Sequence, residues 1–416
     1  MKDKKKHSFP RVLMVGYNGA NNTGAEALLL SDIEDVRCIL GPETKITVPT
    51  LNEKNLSRYL KENQHIRIVP ISSVYFAALR RLVREHDLIL LVEGSTYMDT
   101  WSSALLWAFL WTTRCAHALG KPCLAYAVDA GELSSSNQRR VERIASTTDL
   151  IITRSQAAMN RLRSYGVTAP IQVTADNALT FQVNSGDEGF LLKIWPEASQ
   201  GIVGFAVVDF YLWPVVIRPW GYRHNCYRWP YYYSRDRERR QSSEKLARCY
   251  ASLADGVIEK HGKSVALIAM EQLDEPLAQK IQGYMVHQQQ ARIFSSREYH
   301  ASQMTILLRS LDLLVTSRYH ASILSLAAQV PQIAVGHDLR LRSFYQELGL
   351  KNDFFIDHCS SNREELLVSR LEKLLAVPEE VREILHRGYQ EHLAAAQRNR
   401  LLLREFIHGW GWKVQT

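Results

Sequence analysis

Cysteine is scarce in this sequence and never paired: six occur in 416 residues, none in a CxxC spacing. That argues against a disulfide framework or a cysteine-based zinc site, and fits free thiols in a reducing compartment. Long apolar segments are missing as well. The longest run, residues 104–111, is far short of the roughly 20 residues that span a bilayer. The charged start MKDKKK is followed by no apolar stretch, so nothing reads as a secretory leader. A cytoplasmic protein is expected, with peripheral contact at the inner face of the membrane left open. The fingerprints GxGxxG and GxxxxGK[ST] are both absent, which removes the usual dinucleotide and nucleoside-triphosphate sites. No His, Asp or Glu cluster has metal-ligand spacing, so neither a resident metal nor a cofactor is expected. No basic run is interleaved with aromatics as in a nucleic-acid module, and nucleic acid is not an expected partner.

The composition that remains is that of a globular protein, 46% hydrophobic and 23% charged. Fifty-one basic against 43 acidic side chains leave +8, which suits an anionic ligand or surface. The length predicts two domains, each able to bury a full core. Residues 1–10 read as a disordered basic tail. From residue 11 to about 186, short apolar runs alternate with helical patterns some six times, which predicts a doubly wound parallel sheet. A second such domain is expected over residues 190–376, after a polar break at 184–189, and a helical tail over 377–416.

The densest chemistry lies in residues 311–350. A strand at 311–315, a helix at 317–329, a strand at 330–335 and a helix at 338–348 make one βαβ unit. At the first strand-to-helix turn stand Thr316, Ser317, Arg318, Tyr319 and His320. Ligands of open α/β sheets bind at the carboxyl ends of strands, beside helix N-termini that favour anions. Arg318 adds a planar fork suited to phosphate or carboxylate, and His320 a group that moves protons near neutral pH. Ser317 or Thr316 serves as a helix cap. The next turn repeats the pattern with His337, Arg340 and Arg342. A plainer account fits equally: Arg318 completes a salt bridge and His320 packs in its helix.

Other strand ends carry similar groups. The first strand runs into the loop 17–24, with Asn22, and then a helix whose first turn holds Glu26, a capping carboxylate or a ligand for a sugar hydroxyl. Glu93 follows the strand at 88–92, Arg154 follows the one at 150–153, and Asp176 the one at 171–174. Residues 211–240 are crowded with Trp, Tyr and Arg, including Arg218 and Trp220, and read as an acceptor-binding loop. Two such domains facing each other across a cleft describe an α/β, GT-B-like architecture.

These residues resemble the polysaccharide pyruvyl transferase family. VGYNGANNTGAEALL is similar to the family's G-Y-x-G-x-N-N-x-G-D-E-A opening, and TDLIITRSQAAMNRLRSYGV to its D-x-I-x-x-R-D-x-x-S segment. HDLILLVEGSTYMD stands where the family has an aspartate-led strand and three glycines, and VTADNAL resembles its D-P-A turn. SRYHASILSLAAQVPQIAVGHDLRLRSFYQELGL resembles its R-L-H-A…P…Y-D-x-K pattern. The likeness covers residues 11–350. It implies transfer of the enolpyruvyl unit of phosphoenolpyruvate, as co-substrate, to a sugar of a polysaccharide or lipid-linked precursor of the cell envelope, giving a pyruvate ketal. On that reading Arg154, Ser317, Arg318, His337 and Arg340 hold the donor, and His320 is the acid. Asp176 or Glu26 is the base, and Asn22, Glu93, Arg218 and Trp220 meet the acceptor.

The sequence departs from the family pattern at Ala25, at Val92-Glu93-Gly94, at Ser155 and at His337. Three of these four changes lie in the expected acceptor domain, which points to an altered acceptor. Two rivals remain: a GT-B glycosyltransferase that uses a nucleotide sugar, and a non-catalytic paralogue.

Overall fold

A computed structural model describes residues 9–100, 102–198, 200–212, 215–221, 231–233, 236–336 and 339–415. The chain divides into two units. The first comprises residues up to Ala20, Ala25–Phe181 and His392–Thr416; the second comprises Asn21–Gly24 and Gln182–Glu391.

In the first unit β1 (Val12–Val15) leads to α1 (Thr23–Leu40), β2 (Ile46–Thr50), the short α2 (Glu53–Leu56) and β3 (Ile66–Pro70). Then come α3 (Phe76–Glu85), β4 (Leu88–Leu91), α4 (Ser103–Ala118), β5 (Cys123–Val128), α5 (Ser135–Ala145), β6 (Leu150–Thr153), α6 (Gln156–Ser164) and β7 (Ile171–Val173). All seven strands are parallel, in the order β3-β2-β1-β4-β5-β6-β7. Runs such as VLMV and LILL are buried at every position because helices cover both faces. One core joins Leu13, Ile89 and Ala125 to Leu82 of α3, Phe109 of α4 and Val141 of α5. On the other face Met14 and Leu90 pack with Leu29 and Ile33 of α1. The strand order reverses between β1 and β4, the switch point where doubly wound sheets bind ligands.

The second unit starts with α7 (Phe190–Ile194) and β8 (Ile202–Ala206), then a small antiparallel hairpin of β9 (Val215–Ile217) and β10 (Tyr231–Tyr233). It continues with α8 (Arg237–His261), β11 (Ser264–Ala269), α9 (Glu275–Tyr284), β12 (Ala291–Ser295), α10 (Ala301–Arg309), β13 (Leu313–Thr316) and α11 (Tyr319–Ser325). β14 (Gln332–Gly336), α12 (Leu339–Glu347), α13 (Lys351–Phe354), β15 (Phe355–Asp357), α14 (Arg363–Ala376) and α15 (Pro378–Gly409) complete it. Its six parallel strands run β12-β11-β8-β13-β14-β15, with the reversal between β8 and β13.

The expected doubly wound sheets are therefore present, with local differences. The helix expected over 317–329 is α11 followed by a 3-10 turn at Leu326–Ala328. Its N-cap residue is Arg318, not Ser317 or Thr316. Thr316 instead ties the turn, its Oγ1 accepting from the Arg318 N–H at 2.9 Å. The helix α3 and the strand β15 went unpredicted, and part of the aromatic loop is the β9–β10 hairpin.

The carboxyl-terminal part of α15 is built into the first unit. Leu403, Ile407 and Trp412 join its second core. Asn399, fully buried, accepts from the Thr174 hydroxyl at 2.5 Å and donates to the Ala175 carbonyl at 3.0 Å. Arg400 pairs with the buried Asp35 at 2.7 Å. Replacing Asn399 with alanine removes its bonds to the Thr174 hydroxyl and the Ala175 carbonyl and should cost about 2–3 kcal/mol in urea unfolding. Arg398→Ala, one position away and exposed, should stay within about 0.5 kcal/mol. Equal effects would mean that Asn399 is not the tie.

Candidate active site

At the switch point of the first unit, Glu93 follows β4 and is 7% exposed. Its carboxylate accepts from the backbone N–H of Tyr17 at 3.2 Å, and from the N–H and hydroxyl of Ser95 at 3.2 and 3.0 Å. Gly94 comes next because Arg154 lies over it; a Cβ there would collide with the guanidinium. Arg154, at the end of β6, is buried and donates to Asp129 at 2.9 Å and to Asp176 at 2.5 Å. A register shift in β5, where Ala127 takes φ of 50°, precedes Asp129. Bulges of this kind re-aim side chains beside functional sites. Asp176 also caps its own turn by accepting from the Ala178 N–H. Arg154 thus braces the ends of β5, β6 and the segment after β7. Glu26 is 1% exposed, in the first turn of α1, with Arg58 at 3.4 Å.

The strand ends of the second unit hold a charge cluster. Arg318 follows β13 and grips Asp274 through two bonds, Nε at 2.8 Å and Nη2 at 2.5 Å. Its Nη1 lies 3.1 Å from Glu271. Glu271 and Asp274 sit just beyond β11, and Asp209, beyond β8, accepts from the Ser243 hydroxyl. Burial pushes the Glu271 carboxyl up to about 7 against the pull of Arg318, and the neighbouring Asp274 adds to the rise. Asp274 is raised by the same burial. Arg318 loses hydration too, but Asp274 and Glu271 more than offset that and hold its charge.

The loop before α1 completes this cluster. Asn21, at φ of 51°, donates to Gln272 at 2.6 Å, and its carbonyl accepts from the Gln272 N–H and the Ser296 hydroxyl. Asn22 bridges to Glu271 and donates to its carboxylate at 3.4 Å. Thr23 N–H bonds the Met270 carbonyl. Gly24 lies against the imidazole of His320, where any Cβ would collide with the ring.

The expected residues therefore fall into two groups. Asn22, expected on the acceptor side, belongs with Arg318 and His320. Glu26, Glu93, Arg154 and Asp176 belong to the first unit. Arg154 and Arg318, expected as open anion grips, are each held by two carboxylates, as the plainer account of Arg318 had it. Ser317 is buried beneath the turn, and Arg340 is half-buried near the start of α12. Arg218 lies 6.0 Å over the Tyr232 ring, and Trp220 is 76% exposed. His337 is outside the described residues. Asp357, His358 and Cys359 bring ligand atoms within 4.8 Å of one another, a grouping the spacing argument passed over. Glu271 was also missed, although a carboxylate just past an apolar strand is the signal that singled out Glu93.

Two tests follow from the cluster. Arg318→Ala leaves Glu271 and Asp274 buried without their cation and should cost about 3–5 kcal/mol in urea unfolding at pH 8. A loss below about 1 kcal/mol would mean that the guanidinium is not structural. Glu271 keeps its proton to higher pH when folded than when unfolded. Stability should therefore fall as pH rises from about 4.5 to about 7 and level off above. Glu271→Gln should remove up to about 3 kcal/mol of that fall. Parallel stability profiles for wild type and variant would show the carboxyl to be unperturbed.

The family model for polysaccharide pyruvyl transferase matches residues 22–338. No curated protein matches the chain. Among solved structures, HepE from Anabaena, in complex with UDP-glucose, shares 13% identity at a TM-score of 0.61, over 96% of this chain and 100% of its own. UDP-GlcNAc 2-epimerase from Neisseria meningitidis, bound to UDP-GlcNAc, shares 10% at 0.61, over 95% and 100%. The UDP complex of MnaA from S. aureus shares 10% at 0.60, over 97% of each chain. These likenesses make the fold GT-B-like. With the family match spanning most of its length, the chain belongs to the polysaccharide pyruvyl transferase family.

Proposed function

We propose that this protein transfers the enolpyruvyl unit of phosphoenolpyruvate to two hydroxyls of one sugar in a polysaccharide or lipid-linked precursor, forming a cyclic pyruvate ketal and releasing phosphate. One observation carries the reading. The family match runs from residue 22 to residue 338, and residues from its beginning lie against those near its end: Asn22 on Glu271, and Gly24 on His320.

The chemistry asks for a proton donor, a proton acceptor and cations. Protonation of the methylene carbon of phosphoenolpyruvate makes it a methyl group and leaves an oxocarbenium-like C2. The first sugar hydroxyl adds to C2 and gives up its proton. The second displaces phosphate, and its proton leaves with the phosphate or to a base. We assign His320 as the acid, since histidine is the side chain most often used for proton transfer in catalysis. Glu271 is the base in place of Asp176 and Glu26, because it shares the second unit with His320 and Arg318 while those two carboxylates belong to the first. A carboxyl near pH 7 has the basicity that general-base catalysis favours at that pH. Asn22 orients Glu271. Arg318 positions the two carboxylates, and Arg340 meets the developing phosphate charge. Glu93 and the exposed face of Trp220 are assigned to acceptor sugars.

The direct test incubates the protein with phosphoenolpyruvate and candidate glycans, reading phosphate release and an acceptor mass gain of one pyruvate less one water. A thermal-shift titration narrows the donor beforehand, because a ligand that binds only the native state raises the midpoint. A rise with phosphoenolpyruvate and none with UDP- or GDP-sugars is expected. A rise with a nucleotide sugar alone would replace this reading with glycosyl transfer. His320→Gln should lower kcat by about 10²–10⁴-fold while phosphoenolpyruvate still shifts the midpoint. Gly24→Ala should act in the same direction by displacing the ring. Undiminished turnover in His320→Gln would remove the histidine from the reaction.

A further inference from the structure

Three neighbouring helices cover one face of the first unit's sheet and share one core, through Leu79 and Leu82 of α3, Leu106 and Phe109 of α4, and Val141 and Ala145 of α5. Their outer sides are basic. Arg80, Arg81 and Arg84 are exposed on α3, Arg114 on α4, and Arg139, Arg140 and Arg143 on α5. Against these seven arginines the three helices carry two acids, Glu85 and Glu142. Their net charge of +5 is a large part of the +8 of the whole chain.

Aromatic rings lie between the arginines. The Arg114 guanidinium stands 6.0 Å over the ring of Trp111, and that of Arg140 stands 5.5 Å over Trp107. Phe76 meets Trp111 edge-on at 5.5 Å. Both indole N–H groups are already used: Trp111 donates to the Phe76 carbonyl and Trp107 to Asn137. Apolar side chains flank this belt, with Val74 62% exposed, Phe76 40% and Leu119 37%.

We infer that this face docks the protein on an anionic lipid bilayer. Arginine heads suit phosphate headgroups, and their stems and the tryptophans suit the headgroup boundary. Val74, Phe76 and Leu119 supply shallow apolar insertion, which a phosphate backbone would not reward. A second copy of the same face is excluded by like charge. No described helix is long and apolar enough to cross a membrane, so this attachment is peripheral. The inference stands apart from the proposed reaction, since it needs neither donor nor acceptor. If that reaction uses a lipid-linked acceptor, the face would hold the protein where that acceptor resides.

Co-sedimentation of the full chain with vesicles tests it, using phosphatidylcholine alone and an equimolar mixture with phosphatidylglycerol. Binding to the mixed vesicles, weakened by salt, is expected. Each arginine near such a surface is worth about fivefold in partitioning. Arg80→Gln, Arg84→Gln, Arg139→Gln and Arg143→Gln together should therefore reduce it at least about fiftyfold at low salt. The four side chains are exposed, so the thermal midpoint should hold; the two pairs made separately give intermediate losses. Val74→Ser with Leu119→Ser should weaken binding that survives moderate salt. Replacing Lys2, Lys4, Lys5 and Lys6 with serine should leave most binding intact. The inference is overturned if mixed vesicles are not bound, if the four-arginine variant binds like wild type, or if the lysine variant alone loses binding. A duplex oligonucleotide that binds through these arginines while vesicles do not would overturn it in favour of nucleic acid.

Discussion

A guanidinium shut away from water must find carboxylates, and each unit of this chain is arranged around one that has. Arg154 spans Asp129 and Asp176, and Arg318 spans Asp274 and Glu271. Each comes directly after a parallel strand, where backbone direction aims side chains toward the carboxyl edge of the sheet. The carboxylates come from the ends of other strands of the same sheet, beside β6 in the first unit and two strands from β13 in the second, so one cation fixes the spacing of several loops. The cost of burying such groups is repaid only by near-ideal geometry. That demand explains the bidentate grip of Arg318 on Asp274 and the glycine beneath Arg154.

That geometry changes how the charge of the site is counted. Arginines at strand ends read as anion grips so long as their partners are unseen. With the partners in view, the ends of β8, β11 and β13 hold three buried carboxylates, Asp209, Glu271 and Asp274, around one arginine. Carboxylates packed this closely are less costly when one of them carries a proton. Burial gives Glu271 that property near neutral pH. The burial that makes the cluster costly is thus also what makes a proton-exchanging carboxyl available near pH 7.

Most of the fold was legible in the sequence because parallel strands buried on both faces are unbroken apolar runs, and residues 88–92 or 264–269 admit no other reading. What could not be read was anything assembled from distant segments. Asn21 and Asn22 looked like part of the first domain because they follow β1, yet the partners of Asn21, Gln272 and Ser296, and that of Asn22, Glu271, lie some 250 residues away or more. The basic face escaped notice for the same reason. Its arginines belong to three helices, one of them α3, and no single stretch of sequence is basic enough to stand out. The helix α3 itself went unread although its apolar side is clear once seen, with Leu79, Leu82 and Val83 buried and three arginines outside.

The departures from the family pattern gain a physical sense from these contacts. Where the family has a run of glycines, this chain has Val92-Glu93-Gly94, and only the last must stay small, because only there does Arg154 lie across the backbone. Glu93 is accommodated because Tyr17 and Ser95 donate to it from the adjoining loops. Ser155, in place of the aspartate, still caps α6 by accepting from the Ala158 N–H at 3.1 Å. The substitutions thus keep the backbone and the caps while altering which charges the first unit offers at its strand ends. On the second unit, Arg318, His320 and the Asn21–Gly24 segment that packs with them follow the family pattern. Three of the four departures thus fall in the first unit, and the remaining one, His337, follows β14 in the second.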